Sequence, residues 1–152
     1  KFMVLLGKDQ ATNQNEVNVK LEHINVDFYL RDGAVKVRVN KTELIPPTYE
    51  HPDGKISIKQ RGDSISLIAP SFGLQEVQFS SQEIKIEVAH WVKGKTCGLC
   101  GTANGEVRQE YRKPDKSMTR DPVSFSHSWV LGGDSCRDSS QCLMKHESVQ
   151  LE

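Results

Sequence analysis

From Val17 to Val88 apolar and polar residues alternate with a period of two. Val17, Val19 and Leu21 form one run, and Ile24, Val26, Phe28 and Leu30 the next. The pattern resumes at Val35, Val37 and Val39, at Ile56 and Ile58, at Ile65 and Leu67, and at Val77 and Phe79. It ends with Ile84, Ile86 and Val88. Successive side chains of a strand point to opposite faces, so alternation marks strands with one buried and one wetted face, as in antiparallel sheets. Asp32-Gly33, Asp53-Gly54 and Gly62-Asp63 fall between runs, where tight hairpins need positive φ. The expectation is an all-β protein, an antiparallel twisted sheet or sandwich of short strands spanning Phe2 to Trp91. On this pattern His90 continues the inward series as a half-buried, hydrogen-bonded histidine. Trp91 and Trp129 are expected to fill the core, and Asp9 to Glu16 reads as a polar loop.

After Cys97 the periodicity stops. Residues 101 to 121 are polar, contain Pro114, and read as a surface loop. Asp121-Pro122 predicts a short helix, with the aspartate as N-cap, proline at the first helical position, and Val123, Phe125 and Trp129 turned inward. Gly132-Gly133 ends it, and the tail from Asp138 holds one more short helix or strand. The C-terminal region is thus expected to be small, helical and anchored by disulfides.

The chain has 152 residues, enough for one domain with an ordinary core. Its 20 basic and 20 acidic residues cancel, so no general attraction draws it to nucleic acid or an anionic membrane. The longest apolar run, Phe2 to Leu6, is too short to span a bilayer. That opening, with Lys1 in place of methionine, is read as the start of a piece cut from a longer precursor. Asn40-Lys41-Thr42 is an N-glycosylation sequon at a strand end, a site open to modification in a secreted chain.

The densest chemistry lies in Cys97-Gly98-Leu99-Cys100-Gly101 and the Thr102-Ala103-Asn104-Gly105 that follows. Two cysteines so spaced form a redox pair, half a zinc site or the anchors of separate disulfides. A redox pair needs a helix after the motif to lower the thiol pKa, and Gly101, Asn104 and Gly105 oppose one. Zinc needs two compact ligand pairs. Cys136 and Cys142 stand further apart than that, with His127 and His146 as substitutes. Structural disulfides through Cys97, Cys100, Cys136 and Cys142 are the plainer account, and the sequon agrees with an oxidising compartment. Thr102, Asn104, Glu106, Gln109 and Glu110 offer hard oxygen ligands on a glycine-bearing loop, the chemistry that grips calcium. Only two are carboxylates, so no tight calcium site is expected and no other cofactor is called for. Ser126-His127-Ser128 puts hydroxyls beside an imidazole without a nucleophile-elbow signature, so His127 is read as a surface residue. Lys55, Lys59 and Arg61 read as a solvated strand face. No catalytic residue is assigned.

The run KTCGLCGTANGEVRQEY resembles the CGLCG signature of the von Willebrand factor type D domain, and VSFSHSW before Cys136 resembles that family's aromatic segment and next cysteine. Within it, AHWVKGKTCGLCG, DPVSFSHSWVL and MKHESVQLE look like the type D module of the vitellogenins, egg-yolk precursors, and of the yolk component processed from them in fish. The resemblance covers nearly the whole chain, residues 1 to 152, as one such domain lacking its first strands. It implies a secreted, β-rich, non-enzymatic module, stored in yolk as nutrient beside the other polypeptides of the same precursor. It also keeps two alternatives in view: a disulfide-linked or calcium-stabilised assembly module, such as a homodimer, and a thiol-disulfide enzyme using the CGLC pair. The family's calcium ligands carry over to Thr102, Asn104, Gln109 and Glu110, with Glu106 giving a carbonyl. Here Thr102 replaces an amide, Gln109-Glu110 are a methylene longer than usual, and a further acidic ligand belongs to the missing first strand. In the family, the second CGLC cysteine and the one after SW bridge to the opening strands. The resemblance therefore implies that Cys100 and Cys136 bond outside this chain, with Cys97 and Cys142 paired together or doing likewise.

Overall fold

The computed structural model describes residues 2–8, 12–97 and 112–128, and the backbone of 146–151. The strands are β1 (Phe2–Lys8), β2 (Asn15–Leu21), β3 (Ile24–Arg31), β4 (Ala34–Val39), β5 (Thr42–Glu43), β6 (Tyr49–Glu50), β7 (Ser57–Arg61), β8 (Ser64–Ala69), β9 (Leu74–Phe79), β10 (Ile84–Val88), β11 (Thr96–Cys97) and β12 (His146–Leu151). Short 3₁₀ turns cover Pro70–Phe72 and His90–Val92, and the helix α1 covers Pro122–Ser128. The strands form a seven-stranded sheet, β11-β12-β1-β2-β3-β4-β5, and a five-stranded sheet, β10-β9-β8-β7-β6. All pairings are antiparallel. The protein is all-β, and of the two expected forms it is the sandwich.

Two meanders build it, one from β1 to β5 and one from β6 to β10, and the chain changes sheets between Leu44 and Thr48. Pro46 and Pro47 stand in that crossing. Neither has an N–H to give a ladder, so pairing stops there and the second meander starts afresh. The Ile45-Pro46 bond is cis. Within the meanders the hairpin turns follow the predicted chemistry: Asp32 and Gly33 sit at φ 53° and 78°, joining the paired residues Arg31 and Ala34.

The alternating residues meet between the sheets. Phe2, Val4, Val17, Val19, Leu21, Val26, Phe28, Val37 and Val39 come from the larger sheet, and Ile56, Ile58, Ile65, Leu67, Ala69, Leu74, Val77 and Phe79 from the smaller; all are buried in one cluster. Phe28 and Phe79 touch across the gap with ring centroids 5.9 Å apart. Each fully buried Val, Leu, Ile or Phe contributes roughly 1.5–3 kcal/mol of transfer free energy, which makes this layer the main source of stability.

Several expectations are corrected. Asn15 and Glu16 belong to β2, so the polar loop after β1 ends sooner than its composition implied. Trp91 does not fill the core: it is 51% exposed. His90 is exposed as well. The alternation breaks at a register shift between Glu87 and Val88, and Ala89 leads into a 3₁₀ turn. With three residues per turn the side chains fan out by about 120° each, and Val92, not Trp91, takes the inward position. Val123 is 62% exposed, while Phe125 is buried as expected. Two residues apart on a helix lie on opposite sides, so only one of them can face inward. Trp129 lies outside the described residues, as do Gly132-Gly133. The undecided tail is a strand where described: β12 runs between β1 and β11.

Candidate functional site: the cysteine-glycine loop and its supports

The described residues on either side of the motif are tied into the fold. On the entry side, the N–H of Ala89 donates to the Gly73 carbonyl (2.8 Å), and the N–H groups of Val92 and Lys95 donate back to Ala89 and Val92 (3.0 and 2.9 Å). Val92 is buried and Thr96 is 2% exposed, so the chain reaches the motif from the edge of the core. β11 pairs with β12, placing half-buried Cys97 opposite Gln150. On the exit side Arg112 bridges Met118, and Asp115 Oδ1 accepts from the Ser117 N–H (2.9 Å) and hydroxyl (2.6 Å). The Ser117 hydroxyl and N–H hold the Asp115 carboxyl below the usual carboxylate range. The helix α1 begins as its sequence dictates: Asp121 Oδ1 accepts from the Val123 N–H (3.1 Å), and Pro122 fills the first position.

Of the predicted site residues, Cys97 and Asn40 are described. Cys100, Thr102, Asn104, Glu106, Gln109, Glu110, Cys136 and Cys142 lie outside the described residues, so the calcium set and the disulfide anchors are not positioned. Among the described residues no group of three or more His, Cys, Asp or Glu side chains is placed to hold a metal. Around exposed His127, Ser126 and Ser128 donate to the carbonyls of Val123 (2.9 Å) and Phe125 (2.5 Å). Their protons go to their own helix, the local bonding open to short hydroxyls. Lys55, Lys59 and Arg61 are exposed, as expected.

Sequence reasoning missed a polar network on the outer face of the larger sheet. In register across the sheet stand Leu5, Asn18, Asp27, Arg38 and Glu43, with Tyr29 paired to Lys36 in a neighbouring row. Asn18 Nδ2 donates to Asp27 Oδ1 in a short contact, and Arg38 Nε lies 3.7 Å from Asp27 Oδ2. The Arg38 guanidinium stacks over the Tyr29 ring at 4.2 Å, with Arg31 at 5.4 Å. Tyr29 is only 2% exposed and donates its hydroxyl to Glu43 (2.9 Å). Burial first, and then the bond to Glu43, raises its pKa above 10.0. Gly7 leaves a notch beside this network, and with Leu5, Leu6, Glu16, Asn18, Lys20 and Asp27 it lines a concavity of about 240 Å³. The signal in the sequence was the adjacent aromatic pair Phe28-Tyr29, which forces one ring onto each face of β3.

A β-sandwich that leads from its core edge to the CGLCG motif matches the von Willebrand factor type D domain over residues 1–117, and the chain belongs to that family. Over its full length it is 56% identical to a vitellogenin of Oncorhynchus mykiss and 54% identical to vitellogenin-2 of Fundulus heteroclitus. A vitellogenin of Takifugu pardalis is 43% identical over 98% of the chain. The chain spans about 9% of the length of the first two relatives and 66% of the third.

Proposed function

We propose that this chain is a non-enzymatic storage module of a yolk precursor, secreted, held in egg yolk with the other polypeptides of that precursor, and consumed as nutrient. The observation that carries this reading is the 54–56% identity to vitellogenins, which runs through the whole chain instead of stopping at the type D signature. Two further observations support it. The family and its yolk relatives are not enzymes, and the serines flanking His127 are tied to backbone carbonyls instead of facing a base. A stable sandwich with zero formal net charge suits dense packing in a store. No helix among the described residues is long and apolar enough to cross a membrane.

The test follows peptides of this chain by mass spectrometry through egg development in the animal that encodes it. The expected course is accumulation with yolk deposition and decline as the embryo grows. Absence from yolk, or an amount that stays constant through embryogenesis, overturns the reading. Thiol titration of the native protein separates the oxidoreductase alternative, which requires a reactive thiolate of low pKa.

A further inference from the structure

We propose that Asn40 is an N-glycosylation site whose side-chain amide is oriented by the fold to carry a glycan into open solvent. Asn40 and Lys41 are the two central residues of the β4–β5 hairpin, at φ 50° and 72°, between the paired residues Val39 and Thr42. Positive φ at both centres is the type I′ turn, and asparagine is among the few side chains that accept it. The backbone N–H of Asn40 donates to the Asn25 carbonyl (2.8 Å), and its Oδ1 accepts from the Asn25 N–H (2.9 Å). These two bonds clamp the turn to β3 and commit the carbonyl arm of the amide. Asn40 is exposed, and among the described residues Nδ2, on the other arm, donates to none.

The surroundings suit a bulky polar group. Glu22, His23, Asn25, Lys41 and Thr42 around the turn are polar and exposed. Among the described residues β5 is the last strand of its sheet. Modification joins the anomeric carbon of a lipid-diphosphate-linked oligosaccharide to Nδ2. The anomeric C–O bond breaks, the lipid diphosphate leaves, and Nδ2 loses one proton. Oδ1 is untouched, so the bond from Asn25 survives and the folded hairpin accommodates the product. A glycan here also stands at the open β4–β5 edge, where bulk discourages strand pairing between molecules.

The chain is secreted from eukaryotic cells behind a signal sequence, together with a glycoprotein of known occupancy, and the Asn40 peptide is analysed before and after peptide-N-glycosidase. The expected result is a glycan on Asn40 in most molecules, kept in Thr42→Ser and lost in Asn40→Gln and Thr42→Val. Thr42→Val leaves Asn40 and both bonds to Asn25 in place, so its loss of glycan is not a folding effect; an unchanged circular dichroism spectrum checks this. An unmodified Asn40 peptide in the wild-type chain, with the control protein glycosylated, overturns the proposal.

Discussion

Replacing Gly73 by alanine tests how closely the two sheets approach beside the Val92 turn that precedes the cysteine motif. Gly73 follows the first 3₁₀ turn at φ 105°, ψ −5°, its N–H bonded to the Pro70 carbonyl and its own carbonyl holding Ala89. A Cβ there would stand 2.8 Å from Phe2 Cε1 and 2.9 Å from Val92 Cγ1, well inside van der Waals contact. Two effects add. Forcing an L side chain to positive φ costs about 1–2 kcal/mol, and overpacking a filled core costs about 1–3 kcal/mol. The expected loss is therefore about 2–5 kcal/mol. Gly62→Ala is the matched control: φ is 62°, but nothing lies within 4 Å of its Cβ. It carries only the backbone cost, about 1–2 kcal/mol, and the unfolded-state gain from losing a glycine is common to both variants. In urea unfolding, a 3 kcal/mol loss at an m value of about 2 kcal/mol/M lowers the midpoint by about 1.5 M. Phe2→Leu trims the ring edge that the methyl meets, so Gly73→Ala should cost less in that background, a coupling that a double-mutant cycle reads directly. Equal midpoints for Gly73→Ala and Gly62→Ala, with no coupling to Phe2, would refute the close approach.

Ser66 is fully buried in β8 and its hydroxyl has no hydrogen-bond partner among the described residues, so Ser66→Ala should raise stability by about 1 kcal/mol; a lower melting temperature in calorimetry counts against this. Because the native state holds the Tyr29 proton above 10.0, its contribution is complete below that pH and is lost as pH rises through the folded pKa; Tyr29→Phe should flatten the alkaline fall in stability, and an unchanged slope between pH 9 and about 11 argues otherwise. With two carboxylates among Thr102, Asn104, Glu106, Gln109 and Glu110, calcium should bind at about millimolar affinity at best, and micromolar binding in isothermal titration, or a chelator lowering the melting temperature by several degrees, would contradict it. A non-reducing peptide map should show no bridge between Cys100 and Cys136, and a peptide joining them would reverse that expectation.

The sequence by itself determined which residues of each strand face the core. Side-chain direction along a strand is a local property with a period of two, so Val17, Val26, Val37, Ile58, Leu67 and Val77 needed no tertiary information, nor did the Asp32-Gly33 turn or the Asp121-Pro122 helix start. The positively charged and acidic residues of the outer face were legible one by one as polar. That Asn18, Asp27, Arg38, Tyr29 and Glu43 form one network was not, because residues from four strands meet only once the register is set. Trp91 shows the same limit, since a 3₁₀ turn redirected a side chain that the strand pattern had turned inward, while Val123 lost the inward place to Phe125 because residues two apart on a helix lie on opposite sides. The split into two sheets, the interior place of β1 and its pairing with β12 were likewise decided by long-range contacts, since a strand's sequence encodes its buried face but not its neighbour. At Asn40 the two sources divide cleanly. The sequon is three residues of sequence, while the bond that holds its amide comes from Asn25, fifteen residues earlier in the chain and adjacent only in the folded sheet.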